Sequence, residues 1–184
     1  NKKALVTGSS HGIGLEIAKC LSKEGCVVAI NGRNKRKLFK ASKLVSGSFP
    51  IQGDVTNYEI AKRVINNTVK NLGGIDILIC NVGSGKSKKI GKESYDEWNK
   101  VFRKNFWSVV NIVKESQKVL IKSKGNIVCI SSICGLEVIS DAPATYSTAK
   151  SALNTYIKCM SHFFGKYQVR INGIAPGNIF FKNS

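Results

Sequence analysis

At 184 residues, with 42% hydrophobic and 22% charged side chains, the chain is long enough for one domain with a sizeable core and has an ordinary soluble composition. No apolar run is long enough to span a bilayer, and no signal peptide precedes Asn1-Lys2-Lys3-Ala4-Leu5-Val6, so a cytoplasmic location without membrane association is expected. The 29 Lys and Arg against 11 Asp and Glu give a net charge of +18, but the cations are spread along the chain with no nucleic-acid-binding motif, which argues against a nucleic-acid partner and for attraction of a small anionic one.

The first predicted strand, Ala4–Thr7, runs into Gly8-Ser9-Ser10-His11-Gly12-Ile13-Gly14 and a helix over Ile13–Lys23. Glycines at a strand-to-helix turn let a phosphate approach the amides of the helix N-terminus, so this turn is a candidate seat for a dinucleotide pyrophosphate. An ordinary turn is the plainer alternative. A second strand, Cys26–Asn31, leads into Gly32-Arg33-Asn34-Lys35-Arg36. An acidic residue here would accept a hydrogen bond from the ribose 2′-hydroxyl of NAD. None is present, and Arg33 suits the 2′-phosphate of NADP instead.

A helix over Lys35–Val45 and a strand over Phe49–Gln52 bring the chain to Asp54-Val55, at the edge where ligands of such sheets gather. Asp54 either accepts from an adenine amine or caps the next helix, Tyr58–Asn71. The fourth strand, Ile75–Asn81, ends on Asn81-Val82-Gly83, with Asn81 and Gly83 placed to line a cofactor channel, and opens the polar Ser84–Lys92 loop. A long helix over Tyr95–Ile121 carries Asn105. The fifth strand, Asn126–Ser131, precedes Ser132, a helix over Thr145–Phe164 carries Tyr146 and Lys150, and a sixth strand, Arg170–Ala175, leads to Pro176-Gly177-Asn178-Ile179.

Continuously apolar strands alternating with amphipathic helices predict an α/β fold, a Rossmann-like doubly wound parallel sheet with helices on both faces. Glycines at 25, 47, 73, 125 and 165 are expected to end helices. The six cysteines show no CxxC spacing, and Cys80 and Cys129 sit in apolar strand runs, so buried free thiols are expected rather than disulfides. With only His11 and His162, no metal site is expected.

Tyr146 and Lys150 are four apart, on one helix face, and an ammonium beside a phenol favours the phenolate. Together with the glycine turn they describe a proton donor beside a hydride donor.

The ordered set Thr7-Gly8-x-x-x-Gly12-x-Gly14, Asp54, Asn81-Val82-Gly83, Asn105, Ser131-Ser132, Tyr146-x-x-x-Lys150 and Arg170-Ile171-Asn172 through Pro176-Gly177 closely resembles the short-chain dehydrogenase/reductase family over the whole chain. The resemblance implies that Tyr146 is the catalytic acid/base, that Lys150 holds the nicotinamide ribose and depresses the Tyr pKa, that Ser132 hydrogen-bonds the substrate oxygen, and that Asn105 positions a water linking Lys150 to solvent. Gly8, Ser10, His11, Gly12, Ile13, Gly14, Arg33, Asp54, Val55, Asn81, Gly83, Pro176, Gly177 and Ile179 then belong to the site of an NADP(H) cofactor. It implies carbonyl reduction or its reverse, on a small-molecule or carrier-bound substrate such as a 3-oxoacyl thioester, for whose acidic carrier Lys122 and Lys124 are available, or a keto sugar. It also implies a homodimer or homotetramer, with Trp98, Phe102, Phe106, Phe163 and Phe164 as interface or core aromatics.

Family members usually continue well past residue 184, adding a last strand and a substrate lid that this sequence lacks, and Phe181 stands where they carry a Thr against the carboxamide. A nonenzymatic NADP-binding regulatory or structural subunit of the same fold is the alternative.

Overall fold

The computed structural model describes residues 1–179. Its strands are β1 (Lys3–Val6), β2 (Val27–Gly32), β3 (Phe49–Gln52), β4 (Ile77–Cys80), β5 (Asn126–Ile130) and β6 (Arg170–Ile174). All pair in parallel, in the order β3-β2-β1-β4-β5-β6. Helices α1 (Gly12–Lys23), α2 (Lys35–Ser42), α3 (Tyr58–Leu72), α4 (Tyr95–Phe102), α5 (Ser108–Ser123) and α6 (Ala144–Gly165) link them. The doubly wound Rossmann-like α/β fold expected from the sequence is the fold observed.

Side-chain alternation sorts the strands onto two faces. Leu5, Ala29, Leu78, Cys80, Ile127 and Cys129 join Val64 and Ile65 of α3, Ile112 and Leu120 of α5, and Leu153 and Phe164 of α6 in one core. Ala4, Val6, Val28, Ile30 and Ile79 point the other way, onto Leu15 and Ala18 of α1 and Leu38 and Ala41 of α2. Because helices cover both faces, neither strand parity is polar, which is why the strands read as unbroken apolar runs. At β6 the second face is bare among the described residues: Ile174, in register with Ile130, is 53% exposed.

Asparagine or serine caps three of the helices. Asn34 accepts from the Lys37 N–H, Asn57 from Ile60 and Ser94 from Glu97. Asn57, not Asp54, therefore caps α3. Gly73 ends that helix with φ +73°, as expected, but α5 turns left-handed at Lys124 (φ +51°), one residue before the predicted Gly125. Gly125 is needed for space instead, since a Cβ there would lie 2.7 Å from the Asp76 carbonyl oxygen.

The helix predicted as continuous over Tyr95–Ile121 is interrupted by a π-helical turn, Arg103–Trp107. The widened turn carries Asn105 fully inside and leaves Trp107 half exposed. Trp98, Phe102 and Phe106 stack along this segment at 6.2 and 6.1 Å between centroids, and Phe106 meets Tyr156 of α6 edge-on at 5.9 Å. Phe164 is fully buried and serves the core, while Phe163 remains partly exposed. All six cysteines are free; Cys80 and Cys129 are buried side by side in register on β4 and β5, but Cys20 and Cys159 are exposed, contrary to the expectation of burial. No helix among the described residues is long and apolar enough to cross a membrane.

Leu120 of α5 is completely buried between the sheet and α3. Leu120→Ala is expected to cost about 2–5 kcal/mol of unfolding free energy. Urea unfolding followed by circular dichroism measures it, and a loss below ~1 kcal/mol would contradict the packing described.

Candidate active site

The sheet order reverses between β1 and β4, and the loops leaving the two strands diverge there to open a cleft of about 680 Å³. The glycine turn forms its floor. Gly8 and Gly12 adopt φ +64° and +58°, which side chains disfavour. Gly14 is required for space: a Cβ there would press on the Asn81 amide and lie 2.7 Å from the Gly8 carbonyl oxygen. The α1 helix begins here with no side-chain cap from His11 and no acidic residue in its first turn, so its N-terminal amides and positive dipole end face the cleft unneutralised. Such a terminus suits a pyrophosphate.

Four side chains hold this floor rigid. The Thr7 hydroxyl donates to the Ile79 carbonyl (3.1 Å) and accepts from the Asn81 N–H (3.0 Å). The Asn81 amide donates to the carbonyls of Thr7 and Gly8, at 3.0 and 3.1 Å, binding the end of β4 to the turn. Ser9 donates to the Val6 carbonyl and accepts from the Asn31 N–H, while the Asn31 amide reaches the carbonyls of Ile51 and Gly53. Asn81 thus lines the cleft as expected, yet both its amide hydrogens are spent on the protein. Thr7, Ser9 and Asn31 were not read from the sequence as site residues; a polar residue at the carboxyl end of an apolar strand was the available signal.

At the β2–β3 end, Arg33 and Asp54 line the cleft and face each other at 3.8 Å. The Asp54 carboxylate also accepts from the Thr56 N–H at 3.1 Å. At the β4–β6 end stand Ser132, Tyr146 and Lys150. Ser132 caps a short 3-10 turn, Ile133–Gly135, accepting from the Cys134 N–H. Gly135 lets this turn sit directly on α6, since a Cβ there would lie 2.7 Å from the Lys150 carbonyl carbon. Asn154 and Ser151 of α6 donate to the Gly135 carbonyl, and Asn154 accepts from Ser131 at 2.6 Å. The Ser132 hydroxyl is thereby fixed against the first turns of α6.

Lys150 is 3% exposed and donates to the Ile130 carbonyl at 2.7 Å. Burial pushes its pKa down to about 8, with the Cys129 thiol opposing. Its ammonium lies 5.8 Å from the centre of the Tyr146 ring. The expected depression of the Tyr146 pKa is not what this geometry produces. Burial of the phenol raises it, Ser132 pulls it part of the way back and Cys134 adds to the rise. Desolvation dominates, and the Lys150 ammonium is hydrogen-bonded to the Ile130 carbonyl rather than to the phenol. Near neutral pH the phenol is therefore protonated and the lysine charged.

Asn105 lies behind the cleft wall rather than on it, as does Gly14. Its amide donates to the carbonyls of Ser84 (3.1 Å) and Val101 (3.0 Å), and its oxygen accepts from the Ser84 N–H (2.9 Å). The side chain clamps the start of the Ser84–Lys92 loop, which Ser87 fixes again through Thr145 at 2.7 Å. Gly83 passes close between Asn105 and Lys150: a Cβ there would lie 2.9 Å from Asn105 Oδ1 and 3.4 Å from Lys150 Nζ, so the site requires glycine for space. Ser10, His11, Ile13, Val55, Pro176, Gly177 and Ile179 all line the cleft as expected, together with Lys86 and Lys104, which were not anticipated. Phe181 lies outside the described residues. No group of three or more His, Cys, Asp or Glu among the described residues is placed to hold a metal.

The cleft joins a helix N-terminus to the side chains of Arg33, Lys86, Lys104 and Lys150, against one carboxylate, Asp54. That charge balance fits a polyanionic dinucleotide.

The profile of the short chain dehydrogenase family matches residues 2–181. An uncharacterized oxidoreductase of Staphylococcus aureus (strain MW2) is 34% identical over 182 residues, 97% of this chain and 78% of the relative. The 3-oxoacyl-(acyl-carrier-protein) reductase FabG of Chlamydia trachomatis is 32% identical over 186 residues, 97% of this chain and 74% of the reductase. Among solved structures, a short-chain dehydrogenase/reductase of Caenorhabditis elegans, crystallised with cofactor, superposes with a TM-score of 0.89 at 30% identity, over 96% of this chain and 69% of that one.

Two outcomes test the site. Asn105→Ala removes both bonds to Ser84 and should cost about 1–3 kcal/mol, with faster amide hydrogen exchange confined first to the Ser84–Lys92 loop; unchanged exchange there would contradict the clamp. Lys150 has a folded-state pKa below its unfolded value of 10.5, so the unfolded chain binds more protons between pH 8 and 10.5, and wild-type stability gains from this group as pH rises through that window. Thermal melts should show Lys150→Met becoming less stable relative to wild type from pH 8 upward, whatever the offset at pH 7 from the lost bond to Ile130.

Proposed function

The chain belongs to the short-chain dehydrogenase family, and from that premise we propose that it transfers hydride between NADP(H) and a carbonyl or alcohol carbon, with Tyr146 as proton donor. The observation that carries the reading is the meeting of Ser132, Tyr146 and Lys150 at one end of a cleft whose floor is a glycine-rich helix N-terminus. Its other end offers Arg33 and no acid at the close of β2, which favours NADP over NAD.

Bound in this cleft, the reduced nicotinamide supplies the hydride. The protein supplies the proton and the positioning. Ser132 and the Tyr146 hydroxyl hydrogen-bond the substrate oxygen, and Tyr146 gives up its proton as negative charge develops there. Lys150, charged below about pH 8, offsets the phenolate and holds the ribose hydroxyls. Asn105 has one oxygen lone pair left over, and a water bridging it to Lys150 would give Tyr146 a route to reprotonation. Since the phenol is protonated at neutral pH, reduction proceeds there without titration of Tyr146, whereas alcohol oxidation needs the phenolate and accelerates as pH rises.

The substrate is read more coarsely. Lys86, Lys88, Lys89 and Lys92 crowd the loop pinned beside Tyr146, which favours a carbonyl compound bearing negative charge, such as a 3-oxoacyl thioester on an acidic carrier or a phosphorylated keto sugar. The intact trio in the cleft favours an enzyme over a regulatory subunit of the same fold.

Tyr146→Phe is expected to lower carbonyl reduction by at least about 100-fold while NADPH affinity stays within a few-fold. NADPH oxidation against a panel of ketones, 3-oxoacyl thioesters and keto sugars measures the first, and fluorescence titration the second. Near-wild-type turnover in that variant would falsify the assignment.

A further inference from the structure

Beyond the adenosine end of the cleft the surface dips into a second hollow of about 620 Å³. It shares Arg33, Asp54, Thr56 and Lys104 with the main cleft, so the two are continuous, and it touches none of Ser132, Tyr146 or Lys150. Its far wall is the last turn of α4 and the π-helical turn, which present Lys100, Arg103 and Lys104.

The charges in this hollow are unevenly satisfied. Lys100 pairs with Glu97 at 3.3 Å, and Arg33 faces Asp54 at 3.8 Å. Asp96 lines the hollow as well. Arg103 and Lys104 have no acidic partner among the described residues. Lys104 is half-buried all the same, on the one segment where the helix widens. Two neighbouring cations without counter-charges, Arg103 and Lys104, on one wall of a hollow attract an anion there. Arg33, across the shared boundary, is loosely engaged and largely exposed, free to turn toward the same anion.

We propose that this hollow is an anion subsite which seats the phosphate on the adenosine ribose of NADP(H), with Lys104 as a specificity-determining cation opposite Arg33. The inference rests on the coenzyme reading above and adds a residue from the α4–α5 segment to it. A phosphate dianion between Lys104 and Arg33 meets two cations, whereas a ribose hydroxyl at the same point gains little from either and leaves Lys104 uncompensated. Lys104 therefore discriminates between the two coenzymes while contributing little to whichever lacks the phosphate.

The test is equilibrium binding of NADPH and NADH, followed by fluorescence, on wild type, Lys104→Gln, Lys104→Arg and Arg33→Gln, with inorganic phosphate as a competitor. Lys104→Gln should weaken NADPH by about tenfold, equivalent to ~1.4 kcal/mol, and leave NADH within twofold. Lys104→Arg should restore NADPH binding, and inorganic phosphate should compete with NADPH less effectively in the Gln variant. Should Lys104→Gln melt early, the exposed Arg103→Gln carries the same comparison. Selective loss of NADPH in Arg33→Gln with none in the Lys104 and Arg103 variants would sink the subsite and leave the NADP reading standing. Equal weakening of both coenzymes would also sink it. A wild type that binds neither coenzyme, or NADH more tightly, would overturn both readings together.

Discussion

A parallel sheet sends every strand-to-helix loop out of the same edge, and this one reverses its order between β1 and β4. The rest of the site follows from that constraint. Loops on either side of the reversal are carried away from each other onto opposite faces, so a cleft must open between them. The residues that line it come from the ends of β2 and β5, the loops that follow β1 to β6, the π-helical turn and α6, far apart in the chain and brought together by the sheet. Asn81, which binds the end of β4 to the glycine turn, closes the seam at its most vulnerable point. With that amide committed to Thr7 and Gly8, the cleft floor is one rigid piece and the α1 N-terminus holds a fixed direction.

Burial sets the chemistry of the two ends differently. At the Tyr146 and Lys150 end the phenol and the ammonium are both partly or wholly buried, and desolvation moves them in opposite senses, Tyr146 up and Lys150 down. The pair is thereby held as neutral phenol and cation across the neutral range. The Arg33 and Asp54 end is open, with exposed charges. A single cleft combines a more buried end at Tyr146 and Lys150 with an open, charged end at Arg33 and Asp54.

The π-helical turn connects these regions. By inserting Arg103–Trp107 between α4 and α5, it places Asn105 inward to clamp Ser84, and it sets the neighbouring Lys104 on the cleft side. One local widening serves the loop beside Tyr146 and the cationic wall beside Arg33. A regular helix over the same residues would rotate the two side chains out of these directions.

Composition and periodicity alone determined the alternation of strands and helices, the two-faced core and the parallel sheet, because covered strands must be apolar on both sides and helices must not. The glycine turn and the Tyr146/Lys150 spacing were equally legible, since both are local: a positive φ and a shared helix face need no distant partner. What only the tertiary structure decided depends on partners far along the chain. Asn105 reads as a polar residue in a continuous helix until Ser84 is folded against it. Lys150 reads as a cation for Tyr146 until the Ile130 carbonyl takes its proton donor and burial lowers its pKa. Gly125 reads as a helix-ending residue and Gly14 as part of a phosphate-seating turn until close neighbours show that both are required for space. Lys104 is one lysine among many in sequence, and it acquires a distinct position only where α4, β2 and β3 converge, because electrostatic meaning comes from neighbours in space rather than neighbours in the chain.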